Sequence, residues 1–319
     1  MSKPRRFYRD IDGILLLDKA LGLSSNGALQ EVRALFGAKK AGHAGSLDPL
    51  ASGLLPVCFG QATKVCGRLL NSGKSYAVSV RLGARTESGD METAVVEQAP
   101  IPDLTLENAR DVLKSFEGEQ SQIPPMHSAL KFEGKRLYEL ARSGKSVERP
   151  PRSIVLRDLE LVSLAGDVLE FRVHCSKGTY IRTLAMDLAS RLGTLGYVQG
   201  LRRLSVDPFG AFPMYSLAHL SSLTAPERDA VLLSADAAFA DLPRVDLDAA
   251  AEKRLLLGQS VPNVQQSAFP TEARAYGPQN RFLGLVQSAS PVVIRPVRLF
   301  TEVGVARTGL PAQATEPAE

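Results

Sequence analysis

The sequence predicts a mixed α/β domain followed by a small β-rich unit, and three observations support this fold class. The chain is 44% hydrophobic and 23% charged, which provides enough apolar side chains for a buried core. Strand-like and helix-like patterns alternate along most of the chain, as in domains that pack helices on a sheet. After about residue 243, short apolar runs separated by Pro and Gly replace this alternation.

The first elements are indicated by the spacing of apolar residues. Residues 14–17 form a short apolar run typical of a buried strand. Ser24 or Ser25 is placed to cap a helix that continues to about residue 36. Residues 76–82 alternate between apolar and polar side chains, which predicts a strand with one buried face.

The next elements surround a segment of different composition. We predict helices over residues 106–116 and 183–192 and strands over residues 154–162 and 168–175. Residues 120–152 are rich in Pro, Lys and Arg, so we expect them to leave the core as an insertion. Within this insertion the pattern predicts a short helix over residues 134–142.

The last part of the chain has its own pattern. A helix is predicted over residues 249–257, with Gly258 as its C-cap, and apolar runs follow at residues 282–286 and 292–299. The composition of the final residues is typical of disorder. The predicted organisation is a first domain of residues 1–242, a second of residues 243–303 and a disordered tail of residues 304–319.

The charge of the chain is mildly basic overall and strongly basic in one place. The net charge is +4 and the sequence pI is about 9.0. Residues 127–158 contain eight Lys or Arg against four Asp or Glu, so this short span alone carries a charge of +4. Clustered positive charge of this kind is typical of a contact with a phosphate backbone.

Cysteine usage and hydropathy exclude several classes of protein. The three cysteines Cys58, Cys66 and Cys175 are odd in number and lack C-x-x-C spacing, which argues against a disulfide framework or a zinc ribbon. The basic N-terminus is not followed by the apolar core of a signal peptide, and no apolar stretch approaches the ~20 residues of a membrane span. We therefore expect a monomer in the reducing cytoplasm, without a membrane segment.

One loop combines a single carboxylate with several glycines. Asp48 lies among Gly42, Gly45 and Gly53, and Pro49 biases it towards an extended backbone. No second Asp or Glu stands nearby in sequence, so the loop lacks a glycosidase-type carboxylate pair, and no metal-ligand spacing surrounds it. By itself, the loop leaves two interpretations of Asp48 open, a turn cap or a nucleophile.

The wider pattern resembles one enzyme family. Residues 42–56, GHAGSLDPLASGLLP, followed by GQATK at 60–64, closely resemble the catalytic motif of the TruB family of bacterial tRNA pseudouridine synthases, which isomerise uridine 55 in the T-loop. Further matching motifs occur in the expected order. They are LDK at 17–19, GLSSN at 22–26, KSY at 74–76, LGART at 82–86, PPMHSALK at 124–131, KGTYIRTLA at 177–185 and LRR at 201–203. The resemblance covers roughly residues 10 to 300.

The resemblance implies a fold and a set of catalytic residues. The fold would be a mainly antiparallel sheet flanked by helices and loops, with a small C-terminal β-barrel of the PUA type. Asp48 would act at C1′ of the target nucleotide, and Arg182 would hold its carboxylate with two hydrogen bonds and lower its pKa. Tyr76 would contact the flipped base and move a proton, while Tyr180 and Leu201 would shape the pocket. Without the resemblance, these side chains would be interpreted as core residues or, for Arg182, as a solvated cation.

The resemblance also implies an RNA partner, the T stem-loop of tRNA, and a reaction without cofactor or metal. His43 would contact the RNA while the target base leaves its stack. The remaining candidate RNA contacts are Lys19, Lys64, His127, Lys131, Lys135, Arg136 and Arg142. For Lys19 and Lys64, a contact with the loops of the core and a solvated lysine are alternatives, and a lone His is usually structural.

Two positions depart from the family pattern. His127 stands where many members have Tyr, which puts a stacking role at this position in doubt. Ala20 stands where Pro usually follows the Asp-Lys pair, and we expect this change to loosen the N-terminal loop.

Three other functions are considered beside a cofactor-free isomerase. An RNA-binding or tRNA-folding protein with secondary or lost catalysis would use the same basic surface. A guide-RNA-dependent synthase is disfavoured because no long basic tail is present. A hydrolase based on Asp48 is the weakest option, because the sequence shows neither a second carboxylate nor a metal site beside it.

Overall fold

The structure is a computed structural model that describes residues 8–128, 130–263, 269 and 271–300. The predicted tail of residues 304–319 lies outside these residues, as do the last three residues of the predicted second domain. No helix in the described ranges is long and apolar enough to cross a membrane.

The described chain folds into short helices and two principal sheets. The helices are α1 (Ser25–Leu35), α2 (Cys66–Asn71), α3 (Leu106–Lys114), α4 (Leu137–Arg142), α5 (Ile181–Arg191), α6 (Leu217–Ser222), α7 (Ala225–Ala230) and α8 (Ala249–Leu256). Short 3-10 segments cover Gly60–Val65, Ala235–Phe239 and Pro278–Asn280.

The strands divide between the two halves of the chain. Those of the first half are β1 (Gly13–Lys19), β2 (Ala41–His43), β3 (Ala51–Phe59), β4 (Lys74–Leu82), β5 (Ala84–Thr86), β6 (Val95–Gln98), β7 (Gly118–Gln122), β8 (Lys131–Phe132) and β9 (Lys135–Arg136). Those of the second half are β10 (Arg152–Ala165), β11 (Val168–Cys175), β12 (Gly196–Val206), β13 (Tyr215–Ser216), β14 (Arg244–Asp246), β15 (Val261–Pro262), β16 (Ala273–Gly277), β17 (Arg281–Ser290) and β18 (Val293–Leu299).

The larger sheet has nine strands and is mainly antiparallel. Its order is β13-β1-β3-β12-β4-β11-β10-β7, with β2 paired to β3. Only the β1–β13 and β3–β12 pairs are parallel. The smaller sheet is curled and open, in the order β14-β16-β17-β18-β15. The predicted fold class, a mixed α/β core with a β-rich C-terminal unit, is confirmed.

The alternation in β4 explains how helices pack on the larger sheet. Tyr76, Val78 and Val80 are buried on one face of β4, whereas the residues between them are partly exposed. The buried face packs against α3 and α5 in one hydrophobic cluster, which includes Leu113 and Leu184. The period of two in the sequence therefore corresponds to one buried face of a strand, as predicted.

Two of the differences between the structure and the predictions have a clear local cause. The predicted helix over residues 134–142 begins only at Leu137, because Gly134, at φ +82°, turns the hairpin between β8 and β9. Strand β12, at the centre of the sheet, was not predicted. It carries Gly196 and Gly200 and a bulge near Gln199, which interrupt the alternation by which a strand is recognised.

Aromatic side chains join the two sheets. The ring of Phe282, on β17, lies 5.1 Å from that of Phe300 and 6.3 Å from that of Phe239, which belongs to the first half of the structure. The Tyr276 hydroxyl donates a 2.6 Å hydrogen bond to Asp236 across the same boundary. The two sheets therefore share part of one hydrophobic core.

Candidate active site

The candidate site lies where the larger sheet splits between β3 and β12. These two strands pair only from Ala51 and Leu201 onward, so the preceding part of β12 has an open edge. The loop that carries Asp48 precedes Ala51 and lies beside this edge. On this preceding part of β12, the backbone of Val198 forms an isolated β-bridge with that of Asp90. Asp48, Asp90, Arg182 and Leu201 line the resulting pocket together.

Asp48 is held at the rim of this pocket. Its side chain is 46% exposed, and one of its oxygens lies 3.0 Å from a guanidinium nitrogen of Arg182. Burial raises the pKa of the Asp48 carboxyl, Arg182 lowers it, and Asp90 and Glu92 raise it again. Arg182 thus lowers the pKa of Asp48, as expected, but the pKa still lies above its ordinary value because burial is the larger effect.

Arg182 is nearly buried and shared among several acceptors. It is the second residue of α5, and its side chain is 7% exposed. The guanidinium donates to the backbone oxygens of Ser88 at 2.8 Å and His127 at 2.7 Å, and its Nε lies 3.6 Å from Asp90. The sequence predicted two hydrogen bonds from Arg182 to Asp48. In the structure Arg182 makes one close contact with this carboxylate, and its other donors bind other acceptors. It ties the Asp48 loop, the residue 88–92 loop and the insertion together.

Asp90 is a site residue that the sequence interpretation missed. It is 5% exposed, and its Oδ1 accepts a 2.6 Å hydrogen bond from the Ser88 hydroxyl and a 2.9 Å bond from the Glu92 amide. In sequence, the Ser-Gly-Asp stretch at residues 88–90 is typical of an ordinary turn. A second carboxylate therefore does accompany Asp48, contrary to the argument used against a hydrolase, but Arg182 contacts both.

Tyr76 does not line the pocket itself; it is buried in the hydrophobic cluster that also contains Leu47 and Ala51, on either side of Asp48. Its side chain is buried, and burial raises the pKa of its hydroxyl against an opposing effect of Arg203. Arg203 is itself 1% exposed and donates to the backbone oxygens of Gly45 at 2.9 Å and Leu54 at 2.7 Å. The structure thus places a buried cation next to the Asp48 loop, at a position that the sequence analysis recognised only as part of the Leu-Arg-Arg motif.

Leu201 lines the pocket, whereas Tyr180 is not among the lining residues and lies at the start of α5. Tyr180 is the N-cap of α5, and its backbone exchanges two hydrogen bonds with the amide of Gln122, at 2.8 and 3.0 Å. Leu201 is partly buried and packs against the cluster that contains Tyr76. Gln122 is 4% exposed, so this amide clamp fixes the start of α5 from the last residue of β7.

His43 lies at the start of the loop that carries Asp48, and one of its ring nitrogens lacks a hydrogen-bond partner among the described residues. It ends β2, and its Nδ1 is buried without a hydrogen-bond partner among the described residues. Burial first, and Arg203 second, lower the pKa of the imidazole, which favours the neutral ring. A neutral imidazole can stack and also accept a hydrogen bond.

The structure favours a core-loop contact for both Lys19 and Lys64. Lys19 is 1% exposed, and its ammonium donates to the backbone oxygens of Ala20 at 2.9 Å and Leu23 at 2.7 Å, so it cannot reach a phosphate in this arrangement. The Lys64 ammonium donates to the Leu299 oxygen at 2.8 Å but remains only partly buried.

The insertion carries exposed cations next to the pocket. Lys131, Lys135 and Arg136 are exposed on the β8–β9 hairpin, and Arg142 pairs with Glu92 at 2.8 Å. His127 reaches the site through its backbone oxygen, which binds Arg182. The predicted cations therefore lie on one insertion, which contacts the loops of the pocket. The hydrogen bond of His127 to Arg182 could not be predicted from the sequence, because it uses the backbone oxygen and not the imidazole.

No group of three or more His, Cys, Asp or Glu side chains arranged to hold a metal ion occurs within the described ranges. The site thus consists of a carboxylate at a pocket rim, a shared guanidinium, a second carboxylate behind it and a buried phenol.

Comparisons with known proteins identify the family to which this fold belongs. The family described as TruB family pseudouridylate synthase (N terminal domain) matches residues 33–181, and the one described as Pseudouridine synthase II TruB, C-terminal, matches residues 243–300. The chain belongs to the TruB family of pseudouridylate synthases.

Close relatives align with nearly the whole chain. The tRNA pseudouridine synthase B of Chromohalobacter salexigens is 46% identical over 303 residues, covering 95% of this chain and 98% of the relative. The tRNA pseudouridine synthase B of Methylobacillus flagellatus is 47% identical over 302 residues, covering 94% of this chain and 99% of the relative.

Solved structures share the fold at low sequence identity. A chain of an H/ACA RNP bound to a substrate RNA containing 2′-deoxyuridine superposes with a TM-score of 0.69 at 20% identity, covering 95% of this chain and 92% of that chain. A chain of a Cbf5-Nop10-Gar1 complex gives 0.66 at 23% identity, covering 90% and 84%.

Proposed function

We propose that this protein converts uridine 55 in the T-loop of tRNA to pseudouridine. The observation that carries the proposal is the Asp48–Arg182 pair at the rim of a pocket that Leu201 also lines. Membership of the TruB family and relatives named tRNA pseudouridine synthase B support the reaction and the tRNA substrate. The position within tRNA rests on the catalytic motif around Asp48.

The reaction is an isomerisation that needs no redox partner. The bond between N1 and C1′ breaks, the uracil turns, and a bond forms between C5 and C1′. A proton leaves C5 and the former N1 carries one, so atoms and electrons balance within the substrate. The protein must therefore supply a charged partner for C1′, a pocket for the turning base and a route for one proton.

Asp48 supplies the charged partner. Attack on C1′ and stabilisation of positive charge there both require the ionised carboxylate. Arg182 favours that form, whereas burial and the charge of Asp90 oppose it. A carboxylate that is ionised in surroundings that disfavour its charge is reactive, because contact with positive charge on the sugar stabilises the ionised form.

Tyr76 contacts the base as a hydroxyl donor and an aromatic surface. Its raised pKa keeps the phenol protonated, so it does not act as a resident base at neutral pH. Removal of the C5 proton then falls to Asp48 or to water, and Tyr76 holds the uracil while it turns. Leu201 closes the pocket on its apolar side.

The RNA is held from two sides while the target base leaves its stack. His43 presents a neutral ring at the start of the Asp48 loop, while its unpartnered Nδ1 is buried. The cations of the insertion, Lys131, Lys135, Arg136 and Arg142, bind phosphates without reading sequence. The loop is recognised by its shape, as is usual for folded RNA.

Tritium release from a T stem-loop RNA labelled at uracil C5 tests this function. The protein is expected to release tritium, and Asp48→Asn is expected to bind the RNA but release none. Tight binding without release by either protein would instead establish an RNA-binding or RNA-folding function and contradict the proposal.

A further inference from the structure

Two of the three cysteines lie beside each other on one face of the larger sheet. Cys58 is on β3, opposite Gly42 of β2, and residues that are directly opposite in antiparallel strands point to the same face. The Cys66 sulfur lies on this face as well, because a Cβ at Gly42 would be 3.7 Å from it. Both cysteines are free thiols, and they are hydrogen-bonded to each other. The fold thus brings the two sulfur atoms into contact.

The two thiols have unequal surroundings. Cys58 is fully buried, whereas Cys66, the first residue of α2, is partly exposed and is followed by the exposed Gly67. The hydrogen bond with Cys58 lowers the pKa of the Cys66 thiol, burial opposes this effect, and the charge of Lys40 lowers the pKa further. The same hydrogen bond, together with burial, raises the pKa of Cys58. Because the thiolate and not the thiol is the nucleophile, Cys66 is the sulfur that reacts first.

Cys175 provides a comparison within the same protein. It is 1% exposed, and its thiol donates to the Lys74 oxygen at 3.5 Å. Burial raises the pKa of this thiol to about 11. A buried thiol with a raised pKa is inert, so we expect Cys175 to stay reduced under conditions in which Cys66 reacts.

We propose that Cys58 and Cys66 form a modification site at which hydrogen peroxide produces a reversible disulfide. The Cys66 thiolate attacks the peroxide: an S–O bond forms, the O–O bond breaks, and the leaving hydroxide takes up a proton as water. The Cys58 sulfur then attacks the Cys66 sulfenic acid: an S–S bond forms, the S–O bond breaks, and a second water leaves with the Cys58 proton. The two thiols thus lose two electrons and two protons, and the peroxide is reduced to two waters.

The contact between the two sulfurs decides how far the oxidation proceeds. A sulfenic acid beside a second thiol condenses to a disulfide, which other thiols reduce, whereas further oxidation gives sulfinic acid, which they do not reverse. An S–S bond of about 2.05 Å joins sulfurs that are already hydrogen-bonded. Neither cysteine lines the pocket that contains Asp48, so this modification is independent of the proposed function.

Tryptic mapping without reductant, after treatment of the full chain with hydrogen peroxide, tests the proposal. Cleavage after Lys64 separates Cys58 from Cys66, so a disulfide between them appears as two linked peptides. The protein is expected to lose the mass of two hydrogens and to link these peptides, while Cys175 stays a thiol. Dithiothreitol should restore both thiols.

Three variants separate the pair from its alternatives. At the peroxide dose that links the peptides in the unmodified protein, Cys58→Ala should carry sulfinic acid on Cys66, and Cys66→Ser should keep Cys58 as a thiol. Cys175→Ser is the matched control and should form the same link.

The mapping of the unmodified protein decides the proposal even if Cys58→Ala does not fold. A folded protein that carries oxygen on Cys66 without a link, that links Cys175 instead, or that keeps all three thiols until it unfolds would overturn the proposal. Oxidation of Cys58 in folded Cys66→Ser would contradict the order of reaction given to the two sulfurs.

Discussion

Arg182 divides its guanidinium among two backbone oxygens and two carboxylates. The four acceptors belong to three parts of the site. Asp48 lies on its own loop, Ser88 and Asp90 lie on the next loop, and His127 lies on the insertion. A planar guanidinium with five donors can serve all of them, and an ammonium cannot. Arg182 therefore positions three segments as well as holding the reactive carboxylate.

Replacing Asp48 by Asn should remove activity and leave a protein that is at least as stable. A carboxyl whose pKa is higher in the folded protein than in the unfolded chain binds its proton more tightly when folded, so its ionisation at neutral pH costs stability. Asp48→Asn should lose at least ~10³-fold in rate while its free energy of unfolding at neutral pH stays equal or rises. The stability difference should shrink at acid pH, where the native carboxyl is protonated. Calorimetry at the two pH values checks this, and a clearly destabilised variant at neutral pH would contradict it.

Replacing Asp90 by Asn should move the acid limb of the pH profile to lower pH. The charge of Asp90 raises the pKa of Asp48, so its removal lowers that pKa. The amide keeps an oxygen for Ser88 and the Glu92 amide, and the loop should persist. The rate should still fall by about tenfold to a hundredfold, because Arg182 is less well positioned.

A matched charge variant separates the two effects of Asp90. Glu92 also raises the pKa of Asp48 but is bonded to Arg142, not Arg182. Glu92→Gln should shift the acid limb in the same direction with little loss of rate at the optimum. The expected pattern is measured as kcat/KM against pH for the three proteins, and an unshifted acid limb in Asp90→Asn would exclude the assigned coupling.

The sequence predicted the residues that carry local motifs and missed those that act through the fold. Asp48 and Arg182, which the family resemblance had paired, do meet in the structure. Asp90 and Arg203 could not be predicted, because their contacts join segments far apart in sequence: Asp90 to α5, and Arg203 to the loop around Gly45. The net pKa of Asp48 was missed for the same reason, since it depends on burial and on Asp90.

At the scale of elements, the pocket exists because β3 and β12 pair over only part of their length. Gly53, at φ +98°, lies between Lys19 of β1 and Arg203 of β12. A Cβ at this position would approach the Arg203 backbone oxygen to 2.1 Å, so only glycine allows the two strands to come together. The approach of β12 in turn places Leu201 opposite Ala51 and leaves Asp48 beside the open edge.

Gly53→Ala should destabilise the protein by more than ~3 kcal/mol through this backbone clash and the positive φ. Gly67, in helix α2, is the matched control: no atom would lie within 4 Å of its added Cβ, and its φ is not positive. Gly67→Ala should therefore be neutral or stabilise by about 0.5–1 kcal/mol. Urea unfolding of both variants checks the difference, and similar stabilities would contradict the role given to Gly53.

Elements with a clear periodicity were predicted well, and those without one were not. The start of α1 at its Ser24 cap, the alternation of β4 and the β10–β11 pair all follow from local patterns. Strand β12 was missed because its neighbours, not its own alternation, hold it in the sheet. The hairpin of β8 and β9 was taken for a helix start because Gly134 turns the chain only in the context of the folded insertion.

At the scale of the whole molecule, the two sheets share aromatic packing. Phe282 contacts Phe239, Tyr276 and Phe300, and Lys64 bonds across the same boundary. This packing fixes the smaller sheet against the larger one.

Phe282→Ala should lower the free energy of unfolding by about 2–3 kcal/mol, because the ring is only partly buried. If the shared core couples the sheets, calorimetry should show one transition at a lower temperature. Two separate transitions in the unmodified protein would show that the sheets unfold independently. The tritium release from a short stem-loop should change little, since no residue of the pocket contacts Phe282.

The most direct test of the account is to map pseudouridine in a full-length tRNA transcript after incubation with the protein or with Asp48→Asn. The account predicts pseudouridine at position 55, and at no other uridine, with the protein, and none with the variant. Modification at another uridine, or an unmodified position 55 despite a folded, RNA-bound protein, would contradict it.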